Sequence, residues 1–209
     1  DLEKFQPSPD TKREAIKRYT LPENASPILG CIGSIEPRKG QLILFQALQA
    51  LALGDISDIH LMIVGDGPDE LMLKREAKKM GLEEHISFFP FTNEPNYIFE
   101  RIDLTVLPSL YKEGLPNVLL ESMAMNVPVV SSNLGGVPEL VIDGETGLMV
   151  QPGDVDELAS AIKKIWSDQE MYQKMKLIAR EFIKNNFNKT IQFDRYKDYL
   201  FHLTHSNQR

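Results

Sequence analysis

Two glutamates with seven residues between them, Glu113 and Glu121, flank a loop-to-helix junction in a chain of 209 residues. Gly114, Leu115, Pro116, Asn117 and Val118 follow the first of them. Proline suits a first helical position, whose N–H has no intrahelical partner anyway. The spacing predicts that the amides of Leu115, Asn117 and Val118 point off the helix end, where the macrodipole adds partial positive charge. Such an end holds an anion, and a phosphate fits it. Two carboxylates would repel that phosphate on contact, so their partners are neutral donors. An ionised carboxylate accepts from two hydroxyls at once, which suits a hexose at one glutamate and a ribose at the other. A plainer reading stands beside this one: Glu121 decorates an early helical turn, where acids are favoured, and Glu113 is a solvated loop residue.

The elements that must position these residues alternate along the chain. Residues Thr11 to Tyr19 read as a short helix capped by Asp10 or Thr11. Apolar runs at Pro27 to Gly33, Ile59 to Gly65, Ile86 to Phe91, Asp103 to Pro108, Val127 to Ser132 and Gly147 to Val150 read as short buried strands. Helical stretches separate them, at Gln41 to Leu53, Asp69 to Met80 with Gly81 behind it, Pro95 to Ile102, and from Pro116 and Pro138 as first helical residues. The alternation predicts an α/β fold, a Rossmann-like doubly wound parallel sheet of about six strands with helices on both faces. Ligands on such sheets lie beyond the carboxyl ends of the strands. Lys39, Gly67, Phe91, Glu113 and the Leu115 helix end all follow such an end. Gly65-Asp-Gly67 lacks the third glycine of a dinucleotide fingerprint, so NAD is disfavoured, although a ligand could approach that turn.

The remainder is helical. Asp154 to Glu157 carries an Asp-x-x-Glu capping signature. Apolar stripes then run through Val155 to Trp166, Tyr172 to Ile183, and Phe193 to Leu203, all read as core. A single domain over 1–209 is expected: an N-terminal arm and short helix over 1–25, a parallel α/β core over 26–150, and C-terminal helices over 151–209.

Composition narrows the function classes. The net charge is -7, so duplex nucleic acid is excluded as a partner, and a site for a dianion has to be locally basic against an acidic average. Cys31 is the one cysteine, in an apolar run, which rules out an intrachain disulfide and fits a reducing compartment. No apolar run approaches the ~18 residues of a membrane span. His60 and His85 have no partner at ligand spacing and read as structural, so no metal is expected.

The run Glu113-Gly-Leu-Pro-Asn-Val-Leu-Leu-Glu121-Ser-Met-Ala, with Pro128-Val-Val-Ser-Ser, Gly135-Gly-Val-Pro-Glu-Leu-Val and Asp143-Gly-Glu-Thr-Gly-Leu after it, resembles the retaining group 1 (family four) glycosyltransferases. That resemblance implies one half of a GT-B enzyme: the domain that binds a nucleotide-diphosphate sugar (UDP, GDP or ADP) for retaining, metal-independent transfer to a glycan, lipid-linked or polysaccharide acceptor. It implies that Lys39, with Arg38, and the helix amides neutralise the leaving diphosphate, that Glu113 orients the sugar, and that Glu121 holds the ribose. Gly33, Lys39 and Gly40 match the family's phosphate loop, but Ser34 stands where arginine is usual, and Arg38 then supplies the second charge. The backbone at Pro90 and Phe91 receives the base, with Phe91 stacking on it or packing in the core. The opening Asp1 to Pro7 matches the start of a second domain, which implies an acceptor domain in cis outside these residues. A cytoplasmic setting follows, peripheral at the inner face of a membrane through that other domain. The resemblance also implies that these residues alone bind donor without transferring sugar. The last helix, which reaches the other domain in the family, then has part of its Tyr196 to Leu203 stripe exposed and its tail from His205 frayed. Two alternatives carry the same residues: a sugar-nucleotide epimerase of this fold, and a non-catalytic, nucleotide-responsive interaction module docking through the last helix.

Overall fold

The computed structural model describes residues 2–54 and 56–206, with side chains described as far as residue 201. Six parallel strands, β1 (Ile28–Ile32), β2 (His60–Val64), β3 (Ile86–Phe89), β4 (Leu104–Leu107), β5 (Val129–Ser132) and β6 (Leu148–Val150), form one sheet in the order β3-β2-β1-β4-β5-β6. The strands are near-continuous apolar runs because both faces are covered. Alternate residues split them between two cores. Leu29, Cys31, Leu61, Ile63, Leu104 and Val106 face one core, which also takes in helices α2 (Gln41–Leu53), α3 (Glu70–Lys79) and α7 (Val155–Ser167). Ile28, Met62, Val64, Leu107 and Val129 face the other, with α4 (Asn96–Phe99), α5 (Asn117–Ala124), α6 (Val137–Leu140) and α8 (Gln169–Asn186). Cys31 is buried in the first, and burial pushes its thiol up to about 12. The doubly wound parallel sheet expected from the alternation is the observed fold.

Helix α1 (Pro9–Arg18) starts two residues earlier than its sequence suggests. Ser8, not Asp10 or Thr11, is the cap: its hydroxyl accepts from the Thr11 amide at 3.1 Å, and Pro9 takes the first position. Two other prolines are displaced from their expected places. Pro116 is the cap residue of α5, with extended backbone, so the helix begins at Asn117; Pro138 is the second residue of α6, behind Val137. The Asp154 carboxylate caps α7 as expected, accepting from the Glu157 amide at 2.8 Å. Glu157 does not reciprocate at Asp154; it accepts instead from the Gln151 amide at 2.6 Å, one turn further back in the loop from β6.

Helix α9 (Lys189–Ser206) overturns one expectation and fits another. Its stripe is not core: Phe193, Tyr196, Tyr199 and Leu200 are exposed, although α9 packs against α8. The Leu203 side chain and the tail side chains from His205 lie outside the described residues.

Both histidines in the strand region are structural. His60 Nε2 lies 2.9 Å from Ser87 Oγ, and His85 Nδ1 lies 2.9 Å from the Ile59 carbonyl. Burial, and secondarily the nearby His85 ring, pushes His60 from its ordinary value of 6.5 down to about 4. The unfolded chain therefore takes up this proton first as pH falls. Stability is complete above pH 6.5 and is lost as pH falls through the window towards 4. The expected loss is on the order of 2–3 kcal/mol. Urea midpoints measured from pH 7 to pH 4 should show this decline in the wild-type chain and a shallower one in His60→Gln.

Candidate active site

The strand order reverses between β1 and β4, the switch point at which ligands bind on sheets of this kind. A single 3₁₀ turn, Pro37–Lys39, follows β1 and ends at Gly40. Gly40 is required twice over: its φ is +67°, and a Cβ would lie 2.0 Å from the Pro108 carbonyl oxygen. That close approach lets the Leu110 amide donate to the Arg38 carbonyl at 2.8 Å, joining the β1 loop to the β4 loop. The β5 loop closes on the same segment from another side. Gly136 N donates to the Gly114 carbonyl at 3.0 Å, and a Cβ on Gly135 would lie 1.8 Å from the Glu113 carbonyl oxygen. The β4 loop from Leu110 to Gly114 is thus held by the loops from β1 and β5.

The Glu113 side chain turns inward and is 6% exposed, so it is not a solvated loop residue. Its Oε1 accepts from Ser109 Oγ at 2.5 Å and from Lys39 Nζ at 2.5 Å, with Arg38 Nη1 further off at 3.5 Å. Arg38 is held elsewhere as well: Nη2 donates to Glu36 at 2.7 Å and Nη1 to the Lys112 carbonyl at 3.0 Å. Glu36 also accepts from Ser34 Oγ at 2.6 Å; this bond first, and the Arg38 bond second, hold its carboxyl below the usual range. The expectation of a locally basic site is corrected here. Two cations face two carboxylates, and the cluster is close to neutral, because Glu36 sits two residues before Arg38 and Glu113 comes in from the neighbouring strand's loop. Ser109 and Glu36 were missed in the sequence. Ser109 is fully buried two residues beyond the end of β4, a position that could have marked it; Glu36 had only its loop to recommend it.

Pro116 being the cap shifts the exposed amides as well. Asn117 and Val118 open the helix, the Leu119 amide is taken by the Pro116 carbonyl at 3.1 Å, and Leu115 stands outside the cap. Glu121, the fifth residue of α5, faces a separate cavity of about 280 Å³ that Lys4, Ile32, Gly33, Phe91 and Thr92 also line. Burial pushes its carboxyl up, with Lys4 pulling the other way. Phe91 is 63% exposed, so it is not a core ring. Pro90 is exposed beside it and does not line the cavity. Gly67 lies against chain: a Cβ there would be 2.0 Å from the Ile35 carbonyl oxygen. The fold thus brings Lys39, Arg38, Ser34 and Glu113 into one cluster and Gly33, Phe91 and Glu121 into one cavity, while Pro90 and Gly67 border rather than form them.

Residues 12–182 match the family described as glycosyl transferases group 1. The GDP-mannose-dependent alpha-(1-6)-phosphatidylinositol monomannoside mannosyltransferase of Mycolicibacterium smegmatis is 34% identical over 196 residues, which cover 90% of this chain and 50% of that protein. A 2-deoxystreptamine glucosyltransferase from Streptomyces kanamyceticus is 27% identical over 189 residues, covering 90% of this chain and 48% of its own length. This chain therefore spans about half the length of such relatives. The fold is that of Anabaena Alr3699/HepE in complex with UDP, at a TM-score of 0.88 and 23% identity, covering 96% of this chain and 55% of that one. It is also that of the C-terminal domain of the Francisella tularensis group 1 family protein LpcC, at a TM-score of 0.80 and 22% identity, covering 90% of this chain and 98% of that one. The chain belongs to the group 1 glycosyl transferases.

Proposed function

We propose that these residues form the donor side of a sugar-transfer enzyme, binding a nucleotide-diphosphate sugar in the crevice between the β1 and β4 loops. The observation that carries this reading is the meeting of Lys39 and Glu113, at 2.5 Å, with α5 starting four residues after Glu113 at Asn117 and Val118, whose amides have no helical partners. A cation, fixed amide dipoles and a carboxylate are then available together where a glycosyl–phosphate bond would break. In this proposal Lys39 and the α5 amides take the charge that develops on the leaving diphosphate, which is the usual large catalytic contribution of fixed dipoles. Glu113 accepts hydroxyls of the sugar, and Glu121 accepts those of the ribose in the neighbouring cavity, with Phe91 against the base. Transfer is retaining and needs no resident metal, since these groups carry the charge that a metal would otherwise meet.

The relatives support a nucleotide sugar as the donor: one is named for GDP-mannose, and the Anabaena structure holds UDP. The acceptor site, and any peripheral contact with the inner face of a membrane, are assigned to the remainder of a longer cytoplasmic protein. Among the described residues, no helix is long and apolar enough to cross a membrane. The 209 residues alone are expected to bind donor and transfer nothing. Titration with UDP and with GDP tests the reading by calorimetry or amide chemical shifts. Saturable binding of either supports it, and no response at millimolar concentration to both of them and to UDP-glucose and GDP-mannose overturns it.

A further inference from the structure

Lys39 is committed. Its ammonium lies 2.5 Å from Glu113 Oε1, and the two side chains are 15% and 6% exposed. Ser109 Oγ reaches the same oxygen at 2.5 Å, and Arg38 at 3.5 Å, while the stronger contacts of Arg38 go to Glu36 and the Lys112 carbonyl. A phosphate oxygen brought onto Lys39 would lie within about 5 Å of the Glu113 carboxylate, where little water remains to screen like charges.

The two classes of nucleotide meet this arrangement differently. A bare nucleoside diphosphate competes with Glu113 for Lys39 and offers the displaced carboxylate nothing in return. A sugar nucleotide brings hydroxyl donors together with its phosphates, so the carboxylate released from Lys39 is paired again. We infer that Glu113 is an internal stand-in for the donor phosphate, exchanged off Lys39 by a sugar nucleotide and returning to Lys39 when the sugar has gone, so that it helps to expel the nucleoside diphosphate. This inference rests on the nucleotide-sugar reading above and adds to it a second role for Glu113, in product departure.

The pairing also explains why Glu113 sits where it does. The Glu113 carbonyl lies against Gly135, and the Gly114 carbonyl next to it accepts from the Gly136 amide, so the residue moves between partners through its side chain alone, while its main chain stays in place.

The test is calorimetric titration of the 209-residue chain and of Glu113→Gln with UDP, GDP, UDP-glucose and GDP-mannose. Glutamine keeps the shape and removes the charge. Glu113→Gln is expected to bind the recognised nucleoside diphosphate about tenfold more tightly than wild type, and to lower the ratio of sugar-nucleotide to nucleotide affinity by at least as much. Unchanged or weaker diphosphate binding in a Glu113→Gln protein that melts like wild type overturns the inference and leaves the donor-site reading standing. Failure of all four ligands to bind wild type overturns the donor-site reading itself, and this inference with it. Glu113→Ala is the second variant with the same readout, should the glutamine form not fold.

Discussion

Lys39→Ala is expected to lose roughly 10- to 100-fold in affinity for UDP or GDP, the worth of one charged hydrogen bond at ~1.5–3 kcal/mol, with uridine and guanosine unaffected. Two effects act in the same direction. The ammonium that would meet the phosphate is removed, and Glu113 keeps its charge with only Ser109 and the more distant Arg38 to balance it. The crevice then carries an excess of negative charge in a poorly hydrated place. Parallel calorimetry with nucleoside and nucleoside diphosphate separates a phosphate contact from general damage. Equal losses for both ligands would contradict the role assigned to Lys39. Arg38→Ala should cost less, because Arg38 mainly ties Glu36 to the Lys112 carbonyl and so braces the loops.

Gly135→Ala is expected to destabilise the fold by roughly 3 kcal/mol and to abolish measurable donor binding. The added methyl carbon would start 1.8 Å from the Glu113 carbonyl oxygen, a main-chain atom that no rotamer change can clear, at a φ of +53°. Relief requires the β4 and β5 loops to part. That also moves the Glu113 main chain and breaks the Gly136-to-Gly114 hydrogen bond. Gly144→Ala is the matched control. It has a comparable φ of +79° with nothing within 4 Å, so only the backbone strain of about 1 kcal/mol should appear, without loss of binding. Urea denaturation and calorimetry on the two proteins separate steric conflict from strain. Similar stability for both would refute the account of how Glu113 is held.

Much of this molecule was legible in one dimension. Helix α2 occupies the span that its sequence marks, from the residue after Gly40 to the residue before Gly54, because glycines punctuate both ends. The ends of α1 and α5 were less legible. A hydroxyl at Ser8 and a proline at Pro116 can each serve on either side of a helix boundary, and the choice rests on the backbone angles that neighbouring chain imposes. The α9 stripe was misread as core for a related reason. Apolar periodicity records a face that wants a partner, but it does not say whether these residues supply one.

Local chain chemistry sets the order and type of the elements and puts the candidate residues after strand ends, since periodicity, breakers and capping act over a few neighbouring positions. It takes the folded chain to show that Lys39 and Glu113, 74 residues apart, share one hydrogen bond, that Ser109 and Glu36 complete the cluster, and that Gly135 rests on the Glu113 carbonyl. The Lys39–Glu113 contact depends on β1 and β4 lying side by side, and the Gly135 contact on β5 lying beside β4. Strand adjacency comes from the whole sheet burying both its faces at once, and no local stretch of chain contains that information.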